Sequence, residues 1–381
     1  MLNSILDRFD HYIGQAIYLI EQIFSKRFTC HVLTGPEKHS GAPLNILYIG
    51  EGNSLDYIKT LFFQGSPDNS VKSHYSLVQI LLGVRPKLAG YDLRICEFTP
   101  RIMRLIRSPD SFKTPDWIEQ IIPLAGSWEE VVARFRKNTR TTDLRKVRKY
   151  NFAHDIVTDE ESIEYFYDNL YLPYLTQRFG GAFDVIDRDW LISVGKEGGL
   201  LRILDGDRVI AGVIFFYGEG YLDWIWTGAL TGADTAQENG AFSTLYYHSI
   251  QHAHDKGFPA IKLNNTRAFL NDGLHRYKRK WGAHIAKSRS SEWELLLDFN
   301  FHSRVTQHWL EASPFLTERD DGFYANIFCF SQCTSEELIN HIQSLISPGI
   351  KAINIYSTQQ LKALPAHIDS CDIHNIVLGF Q

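Results

Sequence analysis

The sequence predicts an α/β protein with a mixed, mostly antiparallel sheet flanked by helices. Two observations carry this. Three strand-like runs, Leu200 to Leu204, Val209 to Tyr217 and Tyr221 to Gly228, follow one another through Asp205-Gly206-Asp207 and Gly218-Glu219-Gly220. Glycine and aspartate supply the unusual backbone angles that tight hairpin loops need, so the runs read as an antiparallel meander. Helical and strand-like periods also alternate on both sides of the meander.

The elements follow in order. Leu2 to Phe24 predicts a helix, and Leu44 to Ile49 a strand held between Pro43 and Gly50. Ser54 is a candidate N-cap ahead of Leu55, Ile58, Leu61 and Phe62, which repeat at helical spacing. Tyr91 to Phe98 alternates as a strand. Thr114-Pro115-Asp116-Trp117 predicts a helix start, because proline is preset for a first turn. Trp128 to Tyr150 predicts a charged helix in which Arg134, Arg136, Lys137, Arg140, Arg145, Lys146, Arg148 and Lys149 outnumber the acids Glu129, Glu130 and Asp143. Asp159 to Phe179 predicts a second helix, with Ile163, Phe166, Leu170 and Tyr174 on one side.

Past the meander, Asn239-Gly240 opens a helix with Phe242, Leu245, Tyr246, Ser249, Ile250 and Ala253 on one face. Lys256-Gly257 is a suitable stop. Ala260 to Leu263 and Glu292 to Phe299 add two strands. The tail predicts strand Ala325 to Phe330, helix Ser335 to Leu345, strand Lys351 to Tyr356, helix Thr358 to Leu364 and strand Asn375 to Leu378, a small βαβαβ unit. The expected division is an N-terminal α/β region (1–126), a central domain (127–300) and a C-terminal appendage (301–381).

Bulk properties narrow the class. A chain of 381 residues allows one to three domains, and 44% hydrophobic with 22% charged residues is an ordinary folded composition. A net charge of -5 excludes a generic nucleic-acid binder and leaves room for a local basic patch. Cys30, Cys96, Cys329, Cys333 and Cys371 are scattered and odd in number, which argues for a reducing compartment. Asp7, Arg8 and Asp10 interrupt any signal-peptide core, and no run reaches the roughly 20 apolar residues of a membrane span. Cytoplasm is the expectation. His248 and His252 share a helix face without a third ligand at metal spacing, so no metal is expected. Gly50-Glu51-Gly52 has the outline of a nucleotide or methyl-donor loop but lacks a third glycine.

The order strand, strand, strand, helix, strand has a chemical use. Should the third and fourth strands part at one end, their unpaired main-chain groups hold an amide-bearing ligand as a pseudo-strand. The helix opening at Gly240 offers free N–H groups and a positive dipole end to a pyrophosphate. Asn239, Gly240, Ala241 and Ser243 are the candidate cradle. Pantetheine, with two amides, suits such a slot. Asp223, within Leu222-Asp-Trp-Ile-Trp226, sits in an apolar setting that raises a carboxyl pKa and suits a general base. Tyr277 is a candidate proton donor to a leaving group, and Lys278, Arg279 and Lys280 are candidates to hold the acceptor's charged part. The same residues also read as a turn and cap, a solvated acid, a packing tyrosine and an exposed basic turn.

Four stretches carry a family resemblance: Phe135 to Arg140 with Arg145 to Lys149, Asp159 to Arg178, Arg208 to Ile214, and Tyr277-Lys278-Arg279-Lys280-Trp281-Gly282. Across Trp128 to Phe299 the chain resembles the GNAT acyltransferase superfamily, particularly its FemAB-like branch. The resemblance implies a GNAT-like central domain, a degenerate second half in the N-terminal region, and a bacterial-type acyltransferase. It also implies an acyl-CoA or aminoacyl-tRNA donor and a small-molecule or peptide-like amine or hydroxyl acceptor. RNA is a partner only with the second donor. Arg178 and Trp226 join the candidate substrate contacts. Two stretches depart from the family pattern. Gln237-Glu238-Asn239-Gly240-Ala241 matches its phosphate loop only in part, and Lys262-Leu263-Asn264-Asn265 stands where an acid-Phe-Gly is common. The second departure motivates an alternative: a non-catalytic module that binds a nucleotide, RNA or peptide.

Overall fold

The structure, a computed structural model, describes residues 26–84, 87–106, 108–179, 185–231, 240–331, 334–358, 364–368 and 371–378. The expected helix Leu2 to Phe24 and the body of the expected helix Thr358 to Leu364 lie outside the described residues.

In chain order the strands begin with β1 (Arg27–Pro36), β2 (Pro43–Gly50), β3 (Asp68–Ser76), β4 (Leu93–Phe98), β5 (Phe112–Pro115) and β6 (Trp117–Pro123). Next come β7 (Ala153–Val157), β8 (Gly199–Asp205), β9 (Arg208–Gly218), β10 (Tyr221–Ala229), β11 (Ala260–Arg267), β12 (His284–Lys287) and β13 (Glu294–Phe299). The last are β14 (Phe315–Arg319), β15 (Gly322–Cys329), β16 (Ile350–Ser357), β17 (His367–Ile368) and β18 (Cys371–Val377). They form three mixed sheets, mostly antiparallel and flanked by helices. Their orders are β3-β1-β2-β4-β13-β5, β12-β6-β11-β10-β9-β8-β7, and β14-β15-β16-β18-β17.

The first two sheets share a design. Each has an antiparallel pair, β1/β2 or β9/β10, whose second strand runs parallel to the next strand inward, β4 or β11. Each then takes an antiparallel strand from the other half of the chain: β13 lies beside β4, and β6 beside β11. The two segments therefore exchange one strand each across the expected boundary at 126/127.

Three expected elements are corrected. Thr114 to Trp117 is a strand junction between β5 and β6, not a helix start. The buried Asp116 carboxylate holds the Ser54 hydroxyl and the Arg267 guanidinium. Trp128 to Tyr150 breaks into Trp128–Ala133, a wide π turn at Thr139–Asp143, and Leu144–Tyr150. The break buries Phe135 while the Arg136 N–H and the Thr139 hydroxyl both donate to the Lys280 carbonyl. Asp159 to Phe179 is also interrupted, by a π turn at Tyr167–Tyr171. Pro173 follows at once, and a proline without an N–H cannot continue a regular ladder.

Helix α1 (Ala241–Asp255) crosses one face of the middle sheet, and its buried Leu245 and Ile250 pack with Leu222, Trp224 and Ile261. Each such aliphatic side chain contributes about 1.5–3 kcal/mol through burial. The opposite face carries Ile163, Phe166, Leu170 and Trp226. Helix α2 (Gly273–Lys280) is capped by Asp272, whose carboxylate accepts the His275 N–H at 2.8 Å. The tail helix Ser335–Leu345 starts at a reciprocal Thr334–Glu337 cap. Among the described residues no helix is long and apolar enough to cross a membrane.

Candidate functional site

Among the described residues, strands β10 and β11 are the only parallel pair of the middle sheet, and they register at two positions alone, Leu222↔Ile261 and Asp223↔Lys262. Beyond that level both strands take in an extra residue. Against β9, Trp224 faces Phe215 and Trp226 faces Ile214, so Ile225 is a bulge. Against β6, Lys262 faces Ile121 and Asn265 faces Glu119, so β11 bulges too. Asn264 turns there with φ 62°, a left-handed angle that asparagine tolerates better than most residues. Bulges bend strands and end pairing. Coincident bulges therefore part β10 from β11 and leave Trp224–Trp226 and Leu263–Asn265 without ladder partners across the gap.

The matching pair in the first sheet is closed. Strands β2 and β4 register at four positions, from Ile46↔Leu93 to Ile49↔Cys96. Just past them the buried Glu97 carboxylate accepts the Ser54 N–H at 2.6 Å, the Asn53 N–H at 3.2 Å and the Tyr48 hydroxyl at 2.7 Å. The Gly50-Glu51-Gly52 turn thus leads into a helix start occupied by the protein's own acid.

The open gap is dressed by its own side chains. The Asn264 amide donates to the Ile225 carbonyl across it at 2.9 Å. Lys278, on the last turn of α2, is buried and donates to the Asn264 and Asn265 carbonyls, both at 3.1 Å. Burial pushes its ammonium pKa down to about 7, with Asp272 opposing the drop and Arg178 adding to it. The reading of Lys278 to Lys280 as an exposed basic turn is corrected here. Arg279 is buried and donates to the Leu345 carbonyl, and Lys280 pairs with Asp143 at 2.9 Å. Each cation is already bonded within the protein.

Asp223 sits at the floor of the gap, on the sheet face opposite Trp224. Its side chain is 26% exposed, and its carboxylate lies 3.7 Å from the Lys262 ammonium. Burial raises the Asp223 pKa, Lys262 pulls it back, and Glu119 pushes it up again. Lys262 also pairs with Glu119 at 3.1 Å. Burial works against the Lys262 ammonium, yet Asp223 and Glu119 together hold its pKa above the ordinary lysine value. The row Asp223, Lys262, Glu119 thus spans three adjacent strands. Sequence reading missed Glu119, because its stretch looked helical, and saw Lys262 only as a departure. The signal for Lys262 was its place on the strand paired with Asp223.

The other expected residues are placed as follows. Trp226 is turned by the bulge onto the face of Leu170 and packs edge-on against Trp190 at 4.8 Å. Arg178 is exposed beside Tyr174, near enough to Lys278 for its charge to be felt. Tyr277 packs against Tyr246 at 5.0 Å and beneath the Lys280 ammonium at 3.9 Å, and burial raises its hydroxyl pKa. Asn239 lies outside the described residues. Gly240 caps α1 with φ 78°, and a Cβ there would come within 2.9 Å of the Lys146 side chain. Ala241 and Ser243 are buried, and the Ser243 hydroxyl donates to Asp143 at 2.9 Å. A carboxylate of the protein, itself paired with Lys280, therefore stands at the first turn of α1, where a pyrophosphate is expected. His248 stacks on His154 at 3.6 Å and His252 meets the Tyr217 hydroxyl at 3.2 Å. Among the described residues no group of three or more metal-ligating side chains gathers.

No protein-family model matches the chain, and no curated protein matches it by sequence. Similar solved structures include FemX, at 10% identity and TM-score 0.39, covering 71% of this chain and 84% of that one. L-PGS from Bacillus licheniformis is 11% identical with TM-score 0.32, over 72% of this chain and 85% of that one. A GCN5-related N-acetyltransferase from Anabaena variabilis is 12% identical with TM-score 0.29, over 75% and 62%. At that distance none of them assigns an activity to this chain, and function rests on the gap itself.

Proposed function

We propose that the chain transfers an acyl or aminoacyl group from an activated ester or thioester to an amine or hydroxyl, with the parted β10–β11 edges as its site. The observation that carries this is the two-position register followed by coincident bulges, set against the closed four-position pair of the first sheet. Among the described residues the edges have no ladder partner across the gap, and only side chains, Asn264 and Lys278, meet their carbonyls there. A donor laid along β10 would bring its carbonyl over the floor of the gap.

Asp223, ionised and held by Lys262, takes the proton of the attacking amine or hydroxyl. The new N–C or O–C bond forms, and the carbonyl oxygen becomes an oxyanion near the positive charge of Lys278. Collapse breaks the C–O or C–S bond of the donor. Tyr277, kept protonated by its raised pKa, gives the leaving atom a proton. Trp226 and Arg178 are the proposed acceptor contacts.

Two features favour an aminoacyl ester on RNA over CoA. Asn264 already occupies the Ile225 carbonyl, which a pantetheine amide would need, and Asp143 opposes a pyrophosphate at α1. The segment beside α1 exposes Lys137, Arg140, Arg145, Arg148 and Lys149, which suit a phosphate backbone. The test is a single-turnover assay of the full chain with a panel of charged tRNAs and acyl-CoAs, and amine acceptors. We expect transfer from a tRNA donor, and a loss of about 10²–10⁴-fold in rate for Asp223→Asn. Wild-type rates in that variant would refute the role of Asp223. The Asn264 bridge also favours a second reading, a non-catalytic RNA-binding module. Salt-sensitive tRNA binding without turnover from any donor would select it.

A further inference from the structure

A cavity of about 420 Å³ lies where the edge of the first sheet meets the edge of the third, lined by Phe112 and Lys113 of β5, Phe301, Arg319 of β14, Asn326 of β15 and Tyr356 of β16. No strand of the middle sheet contributes to it, so it is separate from the β10–β11 gap. Its size falls within the range of about 300–1,000 Å³ typical of small-molecule sites.

The lining has two chemical parts. Phe112, Phe301 and Tyr356 belong to a larger aromatic cluster: Phe112 meets Tyr356 edge-on at 5.4 Å, and Phe301 stacks on Phe328 at 6.2 Å. Behind them the buried Asn326 carboxamide is saturated, its oxygen taken by Asn354 at 3.2 Å and Tyr356 at 3.4 Å. The floor is thus preorganised and asks for no further polar partner. Charge is different. Glu318 pairs with Lys287, and Lys113 donates to the Met103 carbonyl at 3.1 Å. Among the described residues Arg319 has no ion-pair partner; its guanidinium lies over the Tyr324 ring at 4.0 Å. Its charge also reaches the Tyr356 hydroxyl, drawing down a pKa that burial raises. An arginine that shares a cavity with aromatic walls and lacks its own carboxylate presents a planar fork to a ligand's carboxylate. The acid at the rim, Asp110, is exposed, so its charge is well screened.

We propose that this cavity is a second binding site, for a small aromatic carboxylate whose ring lies among Phe112, Phe301 and Tyr356 and whose acid group pairs with Arg319. Such a ligand would bridge the first and third sheets and stabilise their contact. The proposal does not depend on the transferase reading.

The experiment is calorimetry and thermal melting of the full chain with 2-naphthoate, using uncharged 2-naphthamide as the control. Naphthoate should bind saturably and raise the melting temperature, and the amide should bind at least about tenfold more weakly, in line with one charge-assisted pair. Arg319→Gln, at an exposed position that tolerates exchange, should abolish that preference, and Phe301→Ala should weaken both compounds. Asp223→Asn should leave naphthoate affinity unchanged. Absence of saturable binding, equal affinity for acid and amide, or undiminished binding in Arg319→Gln would each overturn the proposal. Loss of binding in Asp223→Asn would do the same by moving the probe to the gap.

Discussion

Lys262 governs when Asp223, the proposed base, is ionised. Burial and Glu119 push the Asp223 pKa up, and the Lys262 ammonium is what pulls it down. The proposed base must be ionised, so its pKa marks the acid limb of the rate profile. Replacing Lys262 with methionine removes the lowering influence and raises the Asp223 pKa further. The acid limb of kcat/KM should therefore move to higher pH, with the plateau above it largely kept. A limb that stays in place would show that another group titrates. Asp223 itself was legible in the sequence, since an acid among Leu222, Trp224 and Trp226 is conspicuous. Its partners were not. Glu119 reaches Lys262 from a strand whose Thr-Pro-Asp opening imitates a helix start, and no local pattern reveals which distant strand will lie alongside. The burial of Lys278 was equally hidden. A run of three cations next to an aromatic looks exposed until the carbonyls of a bulged strand are known to need donors.

In the proposed reading, the bulge of β11 is the element that separates the two donors. Asn264 both shapes the bulge, through its left-handed backbone, and bridges it, through its amide to Ile225. Glycine adopts that backbone angle freely, so Asn264→Gly should keep the bulge while removing the bridge. The freed Ile225 carbonyl then becomes available to a pantetheine amide. We predict that the variant gains measurable acyl-CoA affinity in calorimetry relative to wild type. No gain would mean that the bridge is not what excludes CoA and would leave Asp143 at the start of α1 as the barrier. Hairpins and the α1 helix were readable because glycine turns and a 3.6-residue apolar period act locally. Bulges were not, because an inserted residue shows itself only against the register of a neighbouring strand. The π turns at Thr139–Asp143 and Tyr167–Tyr171 escaped for a related reason, since the apolar spacing around them still resembles one continuous helix.

At the scale of the whole molecule, the exchange of β6 and β13 ties the first two sheets together. A fragment 127–300 would lack β6, leaving β11 and β12 without their shared partner and an apolar strand face open. It would also carry β13 away from β4 and β5. Such a fragment should fail to fold, with amide exchange near that of an unfolded chain, while 26–381 should melt in a transition that involves both sheets. A fragment with native-like protection in β8–β11 would contradict this coupling. The contrast between the halves follows from the same plan: one parallel pair is zipped and sealed by Glu97, and the other is held apart.

The most direct test of the gap is hydrogen exchange on the full chain, with and without a stable amide-linked aminoacyl-RNA analogue. Main-chain amides along Trp224–Trp226 and Leu263–Asn264 should slow on binding, because the analogue supplies the ladder partner these edges lack across the gap. Tight binding of the analogue with those amides unchanged, and protection confined to other strands, would show that donors do not enter between β10 and β11.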